Sequence, residues 1–141
     1  MEIKVKVRDF RKKSIAKPED VARILQDILK TEDRYDQDKE HFWVVGLNSR
    51  NIIQYLELVS LGTLNASLVH PREVFRLSVH KAVASILIAH NHPSGNTEPS
   101  REDLEITKRL TEAGRILGID VLDHIIITRK EYLSFKEKNL I

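Results

Sequence analysis

The chain has 141 residues, 41% of them hydrophobic and 31% charged, and no cysteine. This suits one globular domain and excludes disulfides, thiolate metal sites and a thiol nucleophile. The formal charge of +2, from 23 basic and 21 acidic residues, is too small to imply a nucleic-acid partner. No apolar run approaches the ~20 residues of a membrane span. Nothing at the N-terminus reads as a signal peptide, so a cytoplasmic protein with no membrane partner is expected.

Residues Glu2 to Val7 alternate apolar and basic, which predicts a half-buried strand. The basic cluster of Lys4, Lys6, Arg8, Arg11, Lys12 and Lys13 could touch phosphates, but such clusters are more often a solvated edge strand and loop. Residues 1–17 are set apart as a basic strand and loop, and 18–141 as the domain. Pro18 predicts a helix start, and Val21, Ile24, Leu25, Ile28 and Leu29 supply its apolar stripe. Thr31 to Lys39 reads as a loop. His41 to Leu47 and Ile52 to Ser60 read as two strands of a hairpin, joined by the turn Asn48 to Asn51.

Pro71 opens a short helix with Val74, Phe75 and Leu77 inward. Ala82 to Ala89 is a short apolar run, predicting a buried central strand. Pro93 and Gly95 force a loop after it. Ser100 then starts a long helix whose buried side is expected to carry Leu104, Ile106, Leu110, Ala113, Ile116 and Leu117, and Gly118 ends it. Val121 to Thr128 reads as a strand and Lys130 to Leu140 as a last short helix. The order of elements predicts an α/β sandwich around one mixed sheet.

Chemistry concentrates where the central strand ends. His90 and His92 are two residues apart, so on an extended backbone both imidazoles face one point, with Asn91 facing away. That arrangement suits zinc, which takes nitrogen ligands at about 2.0–2.1 Å. Asp103 follows 11 residues later in the first turn of the long helix. With Ser100 it reads as a capping box, and it can also return towards the two histidines. Three ligands would leave a fourth position open for water. A hydrolytic centre also needs a general base, for which Glu40, Glu57, Glu73 and Glu98 all compete on spacing alone. His41, His70 and His80 read as ordinary polar residues, and His124 as either a support for a ligand or a plain strand residue.

The run His90-Asn91-His92-Pro93-Ser94-Gly95, with Pro99, Ser100 and Asp103 behind it, resembles the RadC family of JAB/MPN (JAMM) domains. Gly62-Thr63-Leu64-Asn65, His70 to Val74, Thr107 and Asp123 to Ile126 are similar to further pieces of that family. The resemblance implies a fold related to the cytidine deaminase sandwich, with His90, His92 and Asp103 as zinc ligands. It further implies Glu40 as the base acting on water and Ser100 as a stabiliser of the oxyanion. Zinc deaminases themselves are excluded, since they need a His-x-Glu motif and a cysteine pair.

Other JAMM members hydrolyse peptide or isopeptide bonds, so an unknown protein or peptide is the expected substrate. The alternative is an interaction module associated with DNA repair, without peptidase activity. Longer RadC proteins carry a helix-hairpin-helix region before this domain. Here no such hairpin is visible before His41, which weakens the DNA-binding expectation to a weak nucleic-acid contact. The first strand also offers an edge through which a homodimer could form.

Overall fold

The computed structural model describes residues 13–141, apart from Ala66 and Leu68. The expected first strand, Glu2 to Val7, and the basic cluster up to Lys12 lie outside the described residues. The described N-terminal stretch forms an antiparallel bridge between Ser14 and Ile52, with Ile53 donating its amide to the Lys13 carbonyl at 2.9 Å.

The first helix of the described residues, α1, spans Pro18–Lys30 and buries Val21, Ala22, Ile24, Leu25, Ile28 and Leu29. Asp20 accepts the amides of Ala16 and Lys17 at 2.9 and 3.1 Å, satisfying donors at the helix entry. The expected loop after it holds one helical turn, α2, at Arg34–Gln37, capped by the Asp33 carboxylate. Strand β1 spans His41–Leu47 and β2 spans Ile53–Leu61. Helix α3 is Pro71–His80, β3 is Ser85–Asn91 and α4 is Arg101–Leu117. Strands β4, Asp120–Ile127, and β5, Tyr132–Ser134, complete the chain.

These strands form one mixed sheet in the order β2-β1-β3-β4-β5. Among the described strands only the β3–β4 pair is parallel, with α4 as its crossover, as a parallel connection requires. The architecture is the α/β sandwich expected from the order of elements. Among the described residues, no helix is long and apolar enough to cross a membrane.

The sheet divides two cores. Trp43, Val45, Leu47, Leu87, Ala89, Ile125 and Ile127 pack against α1 on one face. Phe42, Val44, Ile86 and Ile88 pack against Phe75 of α3 and Ile106 and Leu110 of α4 on the other. Strand alternation therefore sends His90, in phase with Ile86 and Ile88, to the α4 side. His124, in phase with Ile126 and opposite to Ile125 and Ile127, goes to that side too.

Helix α4 differs from its expected packing. Its buried residues are Asp103, Ile106, Thr107, Leu110 and Gly114, whereas Leu104, Ile116 and Leu117 are exposed. The inward face carries two polar residues one turn apart, so a stripe sought by hydrophobicity alone rotates away from the real one. Gly118, at φ 74°, closes α4 in the left-handed conformation that glycine adopts without a Cβ penalty.

The expected C-terminal helix is also corrected. Residues 132–134 instead pair antiparallel with Ile125 to Ile127. Backbone donors and acceptors along that edge of β4 demand partners, and a three-residue strand is too short to show its own periodicity.

Candidate metal centre

A parallel crossover leaves a strand at its C-terminal end and begins its helix there. The N-terminus of α4 therefore stands beside the end of β3. His92, just past β3, donates its amide to the Ile127 carbonyl at 2.9 Å, which holds the loop against β4. Gly95, at φ 89°, turns the loop back, its amide reaching the His92 carbonyl at 3.1 Å. Ser100 then caps α4: its hydroxyl accepts the Asp103 amide at 3.1 Å, and Asp103 Oδ2 accepts the Ser100 amide at 2.8 Å.

The capping carboxylate is thereby aimed at the histidines. His90 Nε2 lies 3.0 Å from Asp103 Oδ1, and His92 Nε2 lies 3.1 Å from Asp103 Oδ2. The two imidazole Nε2 atoms are 2.8 Å apart. Tetrahedral ligands at about 2.0–2.1 Å from zinc stand about 3.3 Å from one another, so this triangle is close to the size zinc requires. The donor chemistry fits as well. His92 Nδ1 is 2.7 Å from the Asn96 carbonyl, which can only accept, so Nδ1 carries a proton and Nε2 is the nitrogen left to face a metal ion. Two nitrogens and a carboxylate that converge in this way could hold a metal ion.

The charges reflect the same crowding. Burial would raise the Asp103 carboxyl, but the imidazoles of His90 and His92 hold it well below the usual carboxylate range. Asp103 in turn pushes the His92 imidazole up. His124 is fully buried, and desolvation holds its imidazole well below the ordinary histidine value.

Glu40 reaches the same place by a different route. Strand β1 is antiparallel to β3, and Phe42 is registered opposite His90. Two residues before Phe42, the chain is level with His92. Glu40 Oε2 accepts the Leu64 amide at 2.6 Å, and the Glu40 carbonyl accepts the Gly62 amide at 2.8 Å. Glu40, Leu64, His92, Ser100 and Asp103 line one open cleft of about 670 Å³. Of the competing glutamates, Glu57 pairs with Arg76 at 3.2 Å on the far side of β1, and neither Glu73 nor Glu98 lines this cleft.

Two groups behind the centre were not assigned roles by spacing. His124 Nε2 lies 2.8 Å from His90 Nδ1, so His124 is joined to one of the candidate ligands. Its Nδ1 lies 2.5 Å from the Thr107 hydroxyl, which also reaches the Asp103 carbonyl at 2.7 Å. The apolar neighbours of both residues hid them, since a polar residue in a core strand or helix face gives no periodic signal. His41 is held by Glu32 at 2.5 Å and stacks on Trp43, away from the cleft.

A mixed α/β sheet in which a His-x-His strand end meets a capping aspartate defines a class of domain with a group that could hold a metal ion. The family model described as "RadC-like JAB domain" matches residues 15–140, and the chain belongs to that family. Relatives named "UPF0758 protein" are similar to it. One from Caldanaerobacter subterraneus is 54% identical over 125 residues, covering 89% of this chain and 52% of the relative. One from Desulforamulus reducens is 51% identical over 124 residues, covering 88% and 52%. One from Moorella thermoacetica is 50% identical over 127 residues, covering 90% and 53%. The chain thus spans about half the length of the curated relatives it matches.

Proposed function

We propose that this domain is a zinc-dependent hydrolase of peptide or isopeptide bonds, with His90, His92 and Asp103 holding the ion. The observation that carries the reading is the common cleft. It joins a three-ligand triangle, a carboxylate outside that triangle and a hydroxyl at a helix N-terminus. A set of three protein ligands is the pattern of catalytic rather than structural zinc sites. Zinc, when bound, would supply a Lewis acid that makes water a nucleophile near neutral pH.

The protein residues divide the remaining work. Glu40 takes the proton from the attacking water and returns it to the leaving amine. The Leu64 amide fixes one Glu40 oxygen, which orients the carboxylate. The Ser100 hydroxyl accepts the Asp103 amide, and its own hydrogen is available to the oxygen of the scissile carbonyl as charge develops there.

Glu40→Gln separates chemistry from metal binding. The variant is expected to keep zinc and to lose turnover by about 10²–10⁴-fold on any peptide or isopeptide substrate that the wild type cleaves. Unchanged turnover would remove Glu40 from the reaction. A zinc-loaded wild type inert across peptide and isopeptide panels would favour the interaction module instead.

A further inference from the structure

The hydrogen-bond chain behind the triangle has a direction that its end point determines. The Asp103 carbonyl can only accept, so the single Thr107 hydroxyl hydrogen goes to it, at 2.7 Å. Thr107 Oγ1 must then accept at its second contact, and His124 Nδ1 is the donor. His124 is enclosed by Phe135, stacked at 4.5 Å between ring centroids, and by the edge of Phe42 at 6.3 Å. Among the described residues no carboxylate contacts its ring nitrogens, whose partners are Thr107 and His90. A neutral ring with its proton on Nδ1 presents a lone pair at Nε2. Across the 2.8 Å contact, His90 Nδ1 is therefore the donor.

We infer that His124 and Thr107 are positioning residues that hold His90 in its Nδ1–H tautomer and so deliver the His90 Nε2 lone pair to a metal ion. The inference rests on the metal-centre reading above and assigns the pair no contact with substrate. The chain His90–His124–Thr107 ends on the backbone of Asp103, so two proposed ligands are tied together from behind by one buried polar path. The His124 backbone is itself clamped. Its amide donates to Asp123 Oδ1 at 2.8 Å, and its carbonyl accepts the Phe135 amide at 2.9 Å. Metal-bound histidines usually give their second N–H to a carboxylate, a carbonyl or water. An imidazole here performs that role without adding negative charge.

The test uses two readouts on the full chain. Long-range ¹⁵N NMR of the EDTA-treated wild type should show His90 protonated at Nδ1, the atom that faces His124. Zinc affinity, measured by competition with a chromophoric chelator, should fall towards the upper end of about 10–100-fold in His124→Leu and towards the lower end in Thr107→Val. His124→Gln, whose amide oxygen can accept from His90, should recover most of the loss. Should His124→Leu fail to fold, Thr107→Val carries the comparison, because it replaces a hydroxyl by a methyl of similar size. His90 found as the Nε2–H tautomer, or folded variants binding zinc within twofold of wild type, would overturn the inference. A wild type that binds no zinc would instead remove the metal-centre reading, and the tautomer measurement would still decide this one.

Discussion

Asn91 Oδ1 accepts the backbone amide of His41 at 2.6 Å, tying the end of β3 to the start of β1. The same side chain donates to the Lys39 carbonyl at 3.0 Å. The residue between the two histidines therefore grips the chain on both sides of Glu40. The two histidines stand at the end of β3 and the proposed base just before β1, and this side-chain amide ties the two segments together.

Asn91→Ala should leave the buried His41 amide without its partner, a loss of about 1–3 kcal/mol in unfolding free energy. Urea denaturation measures this directly. Where a cleavable substrate is in hand, turnover should fall further than zinc content does, because the element released is the one bearing Glu40. A variant as stable as wild type would show that the link is incidental.

Ser100→Ala separates two roles of one hydroxyl. Loss of the cap on α4 should destabilise the fold by about 1 kcal/mol. Loss of a donor to the developing oxyanion should lower turnover by about 10²–10³-fold. Ser100→Thr keeps both functions. Turnover that falls no further than stability alone explains would confine Ser100 to capping.

Asp123 gives a pH dependence with a definite sign. Burial raises its carboxyl above the ordinary value, outweighing the hydrogen bonds from Ser134, Lys136 and His124. The unfolded chain titrates near ~3.9. A folded value above that means the group's favourable contribution is complete below the unfolded pKa and is lost as pH rises through the folded pKa. In EDTA-treated protein, the stability of wild type relative to Asp123→Asn should therefore decline from acid towards neutral pH, as followed by urea midpoints. A difference that grows with pH would contradict the burial argument.

Much of this fold is legible in the sequence, for reasons specific to each segment. His41 to Leu47 is a strand at its expected bounds because turn residues follow it and both its faces are buried. The α/β sandwich follows from the order of elements and the pairing of His90 with His92 from strand phase, whereas Asp103 reads as a helix cap that can return to them and joins them through the spacing and the family resemblance. The misses share a cause. Leu104, Ile116 and Leu117 are exposed because Asp103 and Thr107 take the inward face of α4. Tyr132 to Ser134 is a strand because β4 needs an edge partner. His124 could not be assigned because its meaning depends on Thr107, 17 residues away. Such pairings are tertiary, and local periodicity does not encode them.

His90, His92 and Asp103 are proposed to hold one metal ion between them. Equilibrium dialysis of EDTA-stripped protein against zinc, followed by elemental analysis, tests it most directly. About one zinc per chain is expected for the wild type, with that zinc lost in both His92→Ala and Asp103→Ala. A wild type that takes up no zinc, or folded variants that keep their full complement, would contradict it.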